Sequence, residues 1–157
     1  MDNFYEQFQT KDYGKIEKIL GIISKLSLAM AILFAVLLNL VGSMTFILIY
    51  GIVFILSRKI IIEYEYELTG NELSIYKIMN KSKRKEVGSF NIREISSVKT
   101  LDKISRNTKT IKAYLEDCGI KSMVYITKTS NEVLGFQLAM DEKLLDLIKR
   151  VNPLAFY

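Results

Sequence analysis

Thirty-two consecutive residues, Leu26 to Ser57, carry no charged side chain. A single helix of that length would run roughly 48 Å at ~1.5 Å per residue, against a hydrocarbon core of ~30 Å. One crossing would have to tilt beyond ~40° or leave apolar residues in water. A break fits better, and Asn39, Gly42 and Ser43 in the stretch "LLNLVGSM" supply turn chemistry where a chain can reverse. The run therefore reads as a transmembrane helical hairpin over 19–61, turning near 39–43, with crossings at about 19–38 and 44–61. The lipid bilayer is its first expected partner.

Orientation follows from the flanks. Lys11, Lys15, Lys18 and Lys25 precede the first crossing, Arg58 and Lys59 follow the second, and the connecting loop is uncharged. Lysine and arginine near span ends mark the cytoplasmic side, so both termini are expected inside the cell membrane. Lys18, Lys25, Arg58 and Lys59 are the flanking residues closest to the spans, with stems long enough to snorkel to the headgroups. A cleaved leader fits poorly, because Asp2, Glu6, Asp12 and Glu17 precede the run and the run is too long.

The segment 1–18 reads as an amphipathic, interfacial piece. Phe4, Tyr5 and Phe8 fall within one helical face, with Asp2 or Asn3 as a cap. Those rings either lie on the inner leaflet or pack on the carboxy-terminal domain, and their spacing serves both.

From Arg58 onward charge recurs every few residues, and this part carries the whole net charge of +5. In "IIEYEYEL", Ile62, Tyr64, Tyr66 and Leu68 alternate with Glu63, Glu65 and Glu67, the period of a half-buried strand. Thr69-Gly70-Asn71 turns the chain into "ELSIYKI". "KSKRK" connects to "EVGSF", and "NIREISSVKTL" carries a fourth strand. "DKISRNTKT" reads as a basic, mobile loop. "IKAYLED", "SMVYITK" and "EVLGFQLAM" follow as strands, with junctions at Cys118-Gly119 and Ser130-Asn131. Asp141 caps a helix with an apolar stripe of Leu144, Leu145, Ile148 and Val151, closed by Asn152-Pro153. The fold class is α+β: a two-helix transmembrane hairpin, then seven antiparallel strands over 62–157 plugged by a C-terminal helix.

The stretch "YEYELTGNELSIYKIMNKSKRKEVGSFNIREISSV" resembles the opening of bacterial pleckstrin-homology-like (PH-like) domains: a strand ending in Leu-Thr, a turn, a strand, a basic hairpin, then a strand and an "I..I..V" segment. Such domains often follow a pair of membrane helices. The whole chain, opening "MDNFYEQF.TKDYG", is also similar to a family of small membrane proteins of Gram-positive anaerobes. The first resemblance implies a PH-like barrel over about 60–151, and neither carries over a catalytic residue.

The basic cluster Lys81, Lys83, Arg84 and Lys85 is the candidate site for anionic lipid headgroups, each charge being worth ~1 kcal/mol near an anionic leaflet. Its plainer reading is a solvated hairpin. Glu63, Glu65 and Glu67 share one strand face but do not converge as a hard cation requires, so no metal is expected there. They read as a solvated face paired with neighbouring lysines. Cys118 has Glu116, Asp117 and Lys121 around it, not the net positive setting of a reactive thiolate. Histidine is absent, which removes imidazole acid–base chemistry and His-ligated zinc. No phosphate loop, "CxxC" or "GxSxG" motif occurs, and no nucleic-acid recognition module is present. The expectation is a non-enzymatic, cofactor-free interaction module engaging lipid or a protein. The alternative is an accessory subunit of a larger membrane complex, which would make a membrane protein its partner.

Overall fold

The computed structural model describes residues 4–104, 108–116, 118–129 and 132–157. They form two compact units. One is β-rich and draws on Met1–Lys11, Glu63–Ile78 and Arg84–Tyr157; the other is helical, Asp12–Ile62 with the turn segment Met79–Lys83.

The helical unit contains α1 (Gly14–Val36) and α2 (Leu40–Ile60), each long and apolar enough to cross a membrane. The uncharged run does break, at Leu37–Asn39. Leu38 takes the left-handed conformation (φ 55°). Asn39 caps α2, its Oδ1 accepting from the Gly42 amide at 2.9 Å. Gly42 and Ser43 therefore lie in the first turn of α2. Gly42 is required there, because a Cβ on it would meet Phe34 Cδ1 at 2.7 Å. That same ring stacks on Phe46 with centroids 5.5 Å apart. At the open end the Tyr13 hydroxyl donates to the Ile62 carbonyl at 3.0 Å, joining the start of α1 to the exit of α2.

The β-rich unit holds two four-stranded sheets. The first has the order β1-β2-β3-β4: β1 (Phe4–Gln9), β2 (Ile62–Thr69), β3 (Glu72–Met79) and β4 (Lys83–Asn91). The second has the order β5-β7-β8-β6: β5 (Ile95–Lys99), β6 (Lys109–Lys112), β7 (Met123–Thr129) and β8 (Glu132–Leu138). Seven of the eight strands correspond to predicted ones, β6 with shifted bounds. The eighth, β1, corrects the expectation of an amphipathic helix at the N-terminus. It pairs antiparallel with β2, from Phe4 opposite Thr69 to Gln9 opposite Tyr64, so its aromatic residues alternate across a pleat.

A second correction concerns direction. β6 runs parallel to β8, with Lys109 opposite Leu134 and Lys112 opposite Gln137, while β7 and β8 form an ordinary antiparallel hairpin. A parallel neighbour needs a crossover; here it is the chain from Ala113 to Ser122, which carries the path past β8 to β7. The strand predicted over 111–117 is accordingly shorter and earlier, and the basic loop ahead of it includes a 3-10 turn at Leu101–Lys103. The Ser130-Asn131 junction lies outside the described residues.

The core lies between the sheets. Tyr64, Tyr66 and Leu68 point inward from β2, Leu73 and Ile75 from β3, and Tyr125, Phe136 and Leu138 from the second sheet. Phe90 meets Phe136 at 4.8 Å; Gly88 leaves room for that ring, since a Cβ there would sit 2.9 Å from Phe136 Cε1. The helix α3 (Glu142–Val151) closes one side with fully buried Leu144 and Ile148. Asp141 caps it as predicted, accepting from the Leu144 amide at 2.8 Å. Asn152, expected only to end the helix, donates to the carbonyls of Ile92 (3.0 Å) and Ile95 (2.9 Å), fastening the helix end to the β4–β5 connection.

Candidate interaction surface

The inward face of β1 is polar, and the polarity is matched. Gln7 and Gln9 are buried, and both side-chain amides donate to the Ala139 carbonyl. Gln7 Oε1 accepts from the Asp141 amide at 2.9 Å, and Gln9 Oε1 from the Leu115 amide at 3.1 Å. From β2, the Tyr66 hydroxyl donates to the Ala113 carbonyl at 2.6 Å and accepts from the Ala139 amide at 3.3 Å. The buried backbone groups just past the ends of β6 and β8 are thus satisfied by side chains of the first sheet. Burial pushes the Tyr66 and Tyr125 phenols well above the ordinary range. Tyr5 is raised by its 2.6 Å hydrogen bond to Asp141 Oδ2, with burial adding to it.

The outward face of the same strands has a different character. Phe4 and Phe8 stay 62% and 56% exposed, flanking Glu6 on what is an edge strand. Glu6 faces Glu67 across the ladder, and Phe8 faces Glu65. One oxygen from each of Glu6, Glu65 and Glu67 lies within 4.8 Å of the others. The cation that pairs with two of them, Glu65 and Glu67, is Arg84. Its Nη2 lies 2.6 Å from Glu65 and 2.6 Å from Glu67, and its guanidinium sits 3.6 Å over the Tyr76 ring. β3 separates β4 from β2, so Tyr76 is the platform across which Arg84 reaches. The Glu67 hydrogen bond, with Glu65 assisting, raises the arginine's pKa further.

This arrangement corrects two expectations. The glutamate row is not a solvated face paired with lysines: Glu65 is only 5% exposed, and its partner is an arginine two strands away. Nor are the four predicted basic residues one patch. Arg84 is committed to two carboxylates, and Lys81 pairs with Glu17 of α1 at 2.6 Å. Among the described residues, Lys83 and Lys85 alone of the four are exposed without an ion pair. Of the flanking residues, Arg58 and Lys59 occupy the last turn of α2, with Arg58 over the Phe54 ring at 4.3 Å. Lys18 and Lys25 are exposed on α1. Cys118 is half-buried, its thiol directed at the Ile120 carbonyl at 3.7 Å.

No nucleophile, base and orienting group converge among the described residues. What the surface offers is shape, two phenyl rings and a partly neutralised acidic strip. Two sheets closed by a C-terminal helix, with two membrane-length helices inserted between the first and second strands, define a PH-like domain carried on a helical hairpin. The chain belongs to the bacterial PH-like domain family DUF6106, whose model matches residues 1–157. The match therefore takes in β1 and the hairpin as well as the C-terminal sheets. Comparison with curated proteins gives no match, and neither does comparison with solved structures.

Proposed function

We propose that this protein is a membrane-anchored, non-enzymatic interaction module that presents a PH-like domain at the inner face of the cytoplasmic membrane to a protein partner. The carrying observation is the pairing of Gln9 with Tyr64. Everything between them leaves and re-enters one sheet, which supports an even number of crossings with both termini on one side. The basic flanks then select the inside. A protein partner is favoured over lipid for the β-rich unit, because Arg84 and Lys81 already have carboxylate partners, while exposed Phe4 and Phe8 are suited to apolar contact.

The second reading, an accessory subunit of a membrane complex, draws on Gly21 and Gly51. A Cβ at either would touch nothing within 4 Å, leaving room for another helix to approach closely.

Topology is tested with a membrane-impermeant maleimide on intact and opened cells. In a Cys118→Ser background, Leu40→Cys near the hairpin tip should label in intact cells, and Lys85→Cys only after opening. Labelling of Lys85→Cys in intact cells would overturn the proposal. Gentle detergent extraction separates the two readings, since a stoichiometric co-purifying membrane protein whose retention is lost on Gly51→Leu supports the subunit.

A further inference from the structure

We infer that the outer groove of α1 holds the phosphate of an anionic phospholipid between Lys18 and Lys25. The groove is an open concavity of about 610 Å³ lined by Gly14, Glu17, Lys18, Gly21, Ile22 and Lys25. Lys18 and Lys25 are seven residues apart, two helical turns, and so project from one face.

Their depths differ. Lys18 and Arg58 each lie 20 residues from Leu38 at the turn, while Lys25 lies 13 residues from it. At ~1.5 Å per residue Lys25 is about 10 Å nearer the hairpin tip than the level set by Lys18 and Arg58. An ammonium at that depth must reach back toward the headgroups or find an anion. Helical side chains lean toward the N-terminus of their helix, which carries the Lys25 stem over the turn containing Gly21. With no side chain at Gly21, the path is clear.

The groove has one carboxylate of its own, and it is engaged elsewhere: Glu17 Oε2 pairs with Lys81 at 2.6 Å. Among the described residues, neither Lys18 nor Lys25 has an ion-pair or hydrogen-bond partner. Two uncompensated ammonium groups facing lipid, above and below a glycine floor, match a phosphodiester from the leaflet in which α1 begins. A zwitterionic headgroup brings its own cation and fits less well. This site differs from the β3–β4 basic turn that the sequence nominates.

The inference rests on the hairpin being in the bilayer, which flotation with phosphatidylcholine vesicles reports separately. The test uses full-length protein in phosphatidylcholine nanodiscs containing a minority of phosphatidylglycerol, with retained lipid counted by native mass spectrometry after detergent transfer. The wild type should retain phosphatidylglycerol preferentially. Lys18→Gln/Lys25→Gln should lower that preference roughly thirtyfold, from about 1 kcal/mol for each of the two charges, and uncharged Gly21→Leu should lower it by filling the groove. Lys83→Ser/Lys85→Ser should leave it intact. In the wild type, phosphatidylglycerol should also protect Lys18 from an amine-reactive label more than phosphatidylcholine does, a readout independent of variant folding. Unchanged preference in the double variant, preference lost instead with Lys83→Ser/Lys85→Ser, or equal labelling in both lipids overturns the assignment. A carboxylate-bearing membrane helix as the true occupant would appear as a protein, not a lipid, released by Lys25→Gln.

Discussion

Gln9 and Tyr64 sit opposite one another on neighbouring strands, yet both membrane-length helices lie between them in the chain. The N-terminal strand is therefore a part of the domain and not a leader to the anchor. The buried amides of Gln7 and Gln9 strengthen the point: they complete hydrogen bonds that residues 115, 139 and 141 cannot make among themselves.

Replacing Gln7 with Ala strands the half-buried Asp141 amide and removes a donor from the buried Ala139 carbonyl, and Gln9→Ala does the same to Leu115 and Ala139. Each should cost about 1–3 kcal/mol, the range for an unsatisfied buried polar group. Urea unfolding of the β-rich unit, followed by near-ultraviolet circular dichroism in detergent, measures it. A chain beginning at Ile62 should aggregate or fail to give a cooperative transition, since it bares the edge of β2. Wild-type midpoints for both glutamine variants would show that β1 is ornamental.

Arg84 should be the most sensitive of the basic residues. Removing it leaves Glu65 buried and charged. A fully buried pair would cost ~3–5 kcal/mol, but the arginine side chain is 46% exposed, so Arg84→Ala should cost about 1–2 kcal/mol. Arg84→Lys should recover only part of that, because an ammonium on a shorter side chain loses the planar stacking of the guanidinium on Tyr76. Lys83→Ala and Lys85→Ala should fall within about 0.5 kcal/mol of the wild type, as ordinary surface changes do. Equal effects across all three positions would contradict the division of the basic cluster.

Alkaline titration should separate the tyrosines. In the unfolded chain Tyr66 and Tyr125 ionise near ~10, while in the folded domain burial holds both protonated well beyond that. The folded state then binds more protons than the unfolded one, so stability declines as pH rises above 10. The slope should approach ~1.4 kcal/mol per pH unit for each of the two groups. Tyr66→Phe should reduce the slope by one proton, and a slope unchanged by that substitution would count against the assignment.

Much of the fold is legible in the chain because alternation and capping are local signals. β2 and β8 show clean period-two patterns, and Asp141 announces α3. The first strand was hidden by a coincidence of spacing. Phe4 and Phe8, four residues apart, share a face of a helix and equally a face of a strand, and what decides is the distant backbone that Gln7 and Gln9 satisfy. The parallel placement of β6 depends on a crossover that carries no local mark. The interaction surface was less legible still. Glu65, Glu67 and Arg84 were each conspicuous, but only the strand order shows that they meet, and the Lys81–Glu17 pair spans 64 positions.

The position of β1 also sets an order of events during synthesis. The ribosome makes this strand ahead of both helices, but its carboxy-side contacts, at Ala139 and Asp141, emerge about 130 residues later. Between those moments the chain makes both membrane-length helices. The sheet closes on its own beginning only after both helices have been made, so a chain that stops short of Ala139 leaves an open, sticky edge for quality-control proteases to find.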